Sequence, residues 1–233
     1  MKPLLAALAL LPCSVAGAME LMPINDLRVG VGASLGTTVS EEVRTDTTNA
    51  DYDWTGNHGI TVRYEVDYFN GLSRRGVAKP GFIWGVGALY SDTDIRPSRF
   101  EQRGGASVVN DRKRLGLQYR QYGAALYAGY ATQPRITEYG EWNLEFLPVV
   151  RGGYAWSETV DGVNDRTEAG GGKFWEGGFQ IGWTLADKGW LLNIFTGYAY
   201  GVAEVPIDIT GGTSTLTITR SAPELGLTVG GRF

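Results

Sequence analysis

The chain has 233 residues, of which 34 are glycine and 12% are aromatic, and 21 Lys and Arg stand against 25 Asp and Glu, a net charge of -4. That mild acidity argues against a nucleic-acid partner, and the length fits one domain. Glycine and aromatic residues spread along the whole chain suit a sheet better than helices.

Residues 1–18 carry one basic residue, Lys2, then an apolar run from Leu4 to Leu11 and the small residues Ala16, Gly17 and Ala18. This is a secretory signal pattern, with cleavage expected after Ala18. Pro12 before Cys13 fits a lipoprotein box poorly, so a lipid anchor is not expected. Cleavage removes Lys2 and the single cysteine, leaving residues 19–233 with a charge of -5 and no thiol chemistry. No later segment reaches the ~20 apolar residues of a membrane helix. A membrane protein without such helices has to satisfy its backbone in a closed barrel.

Period-two stretches then follow one another, separated by polar or glycine-rich segments. In the first, Leu27, Val29, Val31, Ala33 and Leu35 alternate with polar or small residues. The second has Ile60, Val62, Tyr64, Val66 and Tyr68 on one face, and the third has Phe82, Trp84, Val86, Ala88 and Tyr90. The fourth, Leu115 to Tyr130, places Leu117 and Tyr119 outward and invites a bulge with a change of phase near Gly123. The fifth shows Trp142, Leu144, Phe146, Val150 and Tyr154; the sixth Trp175, Phe179, Ile181, Trp183 and Leu185; the seventh Trp190, Leu192, Ile194, Tyr198 and Tyr200. The eighth closes the chain with Leu225, Leu227, Val229 and Phe233.

Eight strands, with ten as the alternative count, predict an all-β, antiparallel, up-and-down transmembrane barrel. Segments around Glu41 to Asn57, Asp92 to Arg114 and Ser157 to Gly172 are expected as extended extracellular loops. Aromatic residues flank the short turns (Tyr68, Phe82, Tyr130, Trp142, Trp183, Trp190), and a second set that includes Tyr90, Tyr119, Tyr154 and Trp175 lies at the other strand ends. Two such girdles mark the edges of a lipid-facing band. A soluble barrel would alternate in the opposite sense, apolar inward. A two-residue turn at Gly211 and Gly212 would set Phe233 opposite Trp190 and Val229 opposite Ile194, and a turn at Ala186 to Gly189 would set Leu185 opposite Trp190.

The last stretch, ELGLTVGGRF, together with the signal segment, resembles the closing strand of bacterial outer-membrane β-barrels, in which a terminal aromatic residue marks the chain for insertion. Phe233 holds that place. Over essentially all of residues 19–233 the pattern resembles the small eight-stranded barrels of the opacity, adhesion and membrane-anchor type. The resemblance implies a bacterial outer-membrane location and contact with outer-membrane lipid and lipopolysaccharide. It also implies handling by the barrel-assembly machinery and, for adhesins, an extracellular ligand.

The inward face on this reading carries Arg28, Arg63, Arg120, Arg151 and Arg232, balanced by Glu65, Asp67, Glu145, Glu176 and Glu224. A barrel of this size has an interior that side chains fill, so these charges are expected as an ion-paired plug rather than an ion pathway. The expected pairs are Arg28 with Asp67 or Glu65, and Arg151 with Glu176. His58 with Ser91 and Asp92 has the residue types of the lipid A palmitoyltransferase family at the extracellular rim, but with serine and aspartate in reversed order. No catalytic residue, cofactor or metal site is assigned.

The final hairpin is about twice as long as a crossing requires. Beyond Val202 its apolar residues change face, so that Val205, Ile207, Ile209, Leu216 and Ile218 point inward below a Gly211–Gly212 tip. Two readings stand: these residues pack the projecting loops against each other, or they form a raised apolar platform that a ligand or partner meets. The function that follows is a non-enzymatic surface barrel that displays loops for adhesion or envelope integrity. A narrow conduit and, last, a lipid A-modifying enzyme are the alternatives.

Overall fold

A computed structural model describes residues 21–45, 49–57, 59–74, 77–78, 80–102, 107–109, 114–161, 166–209 and 212–233. The signal segment with Cys13, His58, and Gly211 of the expected hairpin tip lie outside these residues.

Eight long antiparallel strands follow one another around a closed ring. The first runs through Leu21–Leu35 and, past Gly36, through Thr37–Thr45; the second through Asn49–Asn57 and Ile60–Arg74. The third is Gly81–Gln102, the fourth Arg114–Ala131, the fifth Gly140–Asp161 and the sixth Arg166–Asp187. Trp190–Ile209 is the seventh and Gly212–Arg232 the eighth. The eighth pairs with the first from Asp26↔Arg232 to Ser34↔Glu224 and again from Thr37↔Arg220 to Thr45↔Gly212, which closes the ring. Phe233 is held at the seam by reciprocal backbone bonds with Asn25, each 3.0 Å.

Alternation along these strands sends the apolar residues out and the charges in. Leu27, Val29, Tyr64, Val66, Leu126, Phe146, Val150, Ile194 and Leu227 are among a belt of exposed large apolar side chains, whereas Arg63 and Arg151 are 2% and 1% exposed. Water would reject such a belt, which far exceeds the apolar patches of soluble proteins, and would claim the arginines. Hydrocarbon reverses both preferences, so the sense of the alternation makes this a membrane-spanning barrel.

Three expectations are corrected. Leu117 and Tyr119 are buried inside the barrel and Tyr122 faces out, because alternation runs unbroken through Gly123, paired to Gly153 and Leu89 without a slip. Gly123 is there for space: a Cβ would overlap the Gly152 carbonyl oxygen and lie 2.9 Å from the buried Phe174 ring. Gly123→Val is therefore expected to destabilise the barrel by about 1–3 kcal/mol through overpacking, read from the midpoint of urea unfolding; an unchanged midpoint would show that Phe174 moves aside freely.

The second correction concerns turns. Lys188 and Gly189, with φ of 47° and 91°, form a two-residue turn, so Asp187 pairs with Trp190 and Leu185 with Leu192. Positive φ at both central residues is the type I′ geometry that suits twisted hairpins. At the last hairpin Ile209 pairs with Gly212, which sets Trp190 opposite Gly231 and Leu192 opposite Val229. Both registers differ from the expected ones by two residues and so keep the same face outward.

Third, much of the expected extracellular loop is strand. Val39↔Trp54 to Arg44↔Asn49 pair across the first connection, and the fifth and sixth strands stay paired up to Asp161↔Arg166. The strands thus continue beyond the apolar belt. At Gly36, φ +116°, the first strand changes phase, so that Ser34 is buried below it and Thr37, Val39 and Glu41 above it.

Candidate functional site: the ion-paired lumen

The lumen is filled in layers. In the central layer six buried side chains alternate in sign around a closed circuit. Arg63 bonds Glu224 in bidentate fashion at 2.7 and 2.8 Å. Arg220 bonds the same carboxylate at 2.6 Å and reaches Glu176 at 2.9 Å. Arg151 joins Glu176 at 2.7 Å and Glu65 at 3.2 Å, and Glu65 lies 2.6 Å from Arg63, which completes the ring. Three arginines face three glutamates, supplied by the second, fifth, sixth and eighth strands. Bidentate arginine–carboxylate pairs are the strong, geometrically specific kind, and here the circuit leaves no net charge.

A second layer lies toward the strand ends that carry Phe233. Arg28 bonds Glu145 at 2.6 and 2.8 Å and Asp26 at 3.0 Å, and its guanidinium sits 4.3 Å over the Phe69 ring. Arg232 clasps Asp26 at 2.8 and 3.2 Å and approaches Glu141 at 3.4 Å. Between the layers stands Asp67, with Oδ1 against the bare Cα of Gly87, where a Cβ would collide with it.

Beyond the central ring come hydroxyl and amide groups. Ser91 donates to Gln121, and Gln121 to Tyr119, each at 2.8 Å, while Thr61 and Thr93 share a 2.8 Å bond. Above them an apolar cap joins Val39, Trp54, Ile95, Leu117, Val205, Ile207, Leu216 and Ile218. Within it Glu41 accepts from Trp54 Nε1 at 3.0 Å and Ser214 Oγ at 2.7 Å.

Arg28, Arg63, Glu65, Asp67, Glu145, Arg151, Glu176 and Glu224 are buried inside, and Arg232 is half-buried at the end. Arg151 meets Glu176 as expected. Arg28 does not meet Asp67, its register partner, or Glu65; a long arginine crosses a narrow lumen, and Glu145 on the fifth strand offers both oxygens. Arg120 is corrected to the outer face, where it donates to Gln118 at 2.7 Å and lies 4.0 Å from Asp92, because the fourth strand never changes phase. Asp26 and Arg220 complete the networks and were legible in phase, each lying an even number of residues from a charge already assigned inward.

Of the two readings of the last hairpin, packing holds and the platform is corrected. Val205, Ile207, Leu216 and Ile218 are 0–2% exposed, so they close the cap instead of offering a surface. Gly212 pairs with Ile209 and Thr45 near the tip. Ser91 is buried in the lumen while Asp92 is on the opposite face, and His58 lies outside the described residues.

The fold and its lumen thus define a closed transmembrane β-barrel with a filled interior. Among solved structures the chain is similar to the outer-membrane protein OprG from Pseudomonas aeruginosa, at 12% identity over 90% of this chain and 95% of that one, TM-score 0.43. It is similar to the Escherichia coli outer-membrane protease OmpT, at 8% identity over 93% and 99%, TM-score 0.41. A third is Ail, the attachment invasion locus protein of Yersinia pestis, solved with the heparin analogue sucrose octasulfate, at 14% identity over 92% and 100%, TM-score 0.34. No family model matches the sequence, and no curated protein does.

Proposed function

We propose that the protein is a non-enzymatic barrel of the bacterial outer membrane that works through its extracellular strands and loops, in adhesion or envelope integrity, and does not conduct. The observation that carries this reading is the stacking of a charge-neutral arginine–glutamate ring under an apolar cap across the whole lumen. An ion would have to break a buried circuit and then desolvate through the cap. The signal pattern and the outward apolar belt support the outer membrane as its place. Lipid, lipopolysaccharide and the assembly machinery are the partners that place implies.

In planar bilayers the refolded protein is expected to give no ohmic conductance above the bare membrane, while retaining the resistance to detergent before boiling that complete backbone pairing confers. Steady conductance steps would favour the conduit. Recovery from the soluble periplasm would end the membrane reading, and cell-surface binding that survives removal of the extracellular connections would end the adhesive one.

A further inference from the structure

Between the two ion networks lies a small cavity, about 10 Å³, bordered by Arg28, Asp67, Phe69, Gln180, Phe195 and Thr228 among others. Four of these side chains hold a buried polar atom with no protein hydrogen-bond partner among the described residues: Arg28 Nε, Asp67 Oδ1, Gln180 Nε2 and Thr228 Oγ1. Each residue is 3–5% exposed. They line one void between two ion-paired networks.

The chemistry is complementary. Arg28 Nε and the Gln180 amide are donors; the Asp67 carboxylate accepts, and the Thr228 hydroxyl does either. Buried polar groups in native proteins are satisfied, and a polar cavity of about one probe sphere with two to four partners is what a single ordered water needs. Arg28 and Asp67 are also cross-strand partners in register, yet the guanidinium spends its terminal nitrogens on Glu145 and Asp26 and leaves Nε without a protein partner.

We propose that this cavity is a structural water site, in which one water accepts from Arg28 Nε and the Gln180 amide and donates to the Asp67 carboxylate and the Thr228 hydroxyl. The water turns Arg28 and Asp67 into a bridged ion pair. It gives the Asp67 carboxylate, which lies outside both networks, a hydrogen-bonded connection to a cation. Phe69 and Phe195 wall the site, so the water exchanges slowly.

The test is magnetization transfer from water to side-chain N–H groups in the full mature chain refolded in detergent, labelled with nitrogen-15 at arginine and glutamine. Wild type is expected to show transfer to Arg28 Nε–H and the Gln180 amide with the sign of a long-lived water, and Asp67→Leu, which fills the void, is expected to lose it. Thr228→Val removes one partner at equal volume and is expected to keep the barrel folded and shorten the water's residence; this keeps the site testable if Asp67→Leu does not fold. Absence of transfer in the wild type, or unchanged transfer in the folded Asp67→Leu or unchanged residence in Thr228→Val, overturns the proposal. So do Gln180 and Thr228 shifts that depend on sodium but not on choline chloride, which would assign the cavity to an alkali ion.

Discussion

Glu224→Ala is expected to be among the most damaging single changes in this barrel. The carboxylate is 2% exposed and ties Arg63 to Arg220, so its loss opens the central ring at two adjacent links and leaves a net positive charge in a closed lumen. Removing one partner of a buried ion pair costs about 3–5 kcal/mol, since the remaining charge has no water to return to. Arg120→Ala removes an arginine of the same sequence class from the outer face, where Gln118 and Asp92 are its neighbours and solvent reaches it; its cost is expected within about 1 kcal/mol. Urea unfolding of both variants beside the wild type checks the pair. Similar midpoints for the two would mean that the lumenal ring contributes little to holding the barrel together.

Leu216→Asp is expected to open the apolar cap while leaving the membrane-spanning section assembled. Leu216 is 1% exposed in the apolar cluster, and its partner in register is Glu41, so the new carboxylate would be buried beside an existing one. Leu216→Ala alone should cost about 2–5 kcal/mol for the buried methyl groups and the cavity, and the charge adds to that. The readout is protease cleavage of the strand extensions beyond the apolar belt in reconstituted vesicles, together with gel mobility before and after boiling. Faster cleavage with unchanged mobility is the expected outcome. Cleavage no faster than in the wild type would show that the cap does not hold the extension closed.

This second expectation follows one of the two readings the residues alone allow and replaces the other. Read as a sequence, Val205, Ile207, Leu216 and Ile218 form an apolar face on a hairpin too long for the membrane, and such a face looks free to meet a ligand. Its partners are on distant segments: Val39 just before what read as the first loop and Trp54 within it, Ile95 in the second, and Leu117 on a strand assigned to the wrong phase. Only the continuation of all the strands above the lipid brings these together, and it converts a surface into a core.

What the sequence determined by itself is the sense and number of the strands. Eight period-two stretches with glycine and charge on one face and large apolar residues on the other admit few solutions once no segment can cross as a helix, and lipid fixes which face is outward. The inward set of Arg28, Arg63, Glu65, Asp67, Glu145, Arg151, Glu176 and Glu224 follows from the same alternation. What alternation could not fix is anything that survives a slip of two residues, because such a slip returns every side chain to the face it left; hence the displaced registers at Lys188–Gly189 and at the last hairpin. Nor could it choose ion partners. Neighbouring strands offer candidates at equal depth, but in a narrow lumen a long arginine reaches the far wall as readily as the near one, and so Arg28 takes Glu145 while Asp67, beside it in register, is left to the cavity. That choice is made by the closed ring, where eight strands set the width that their inward side chains must fill.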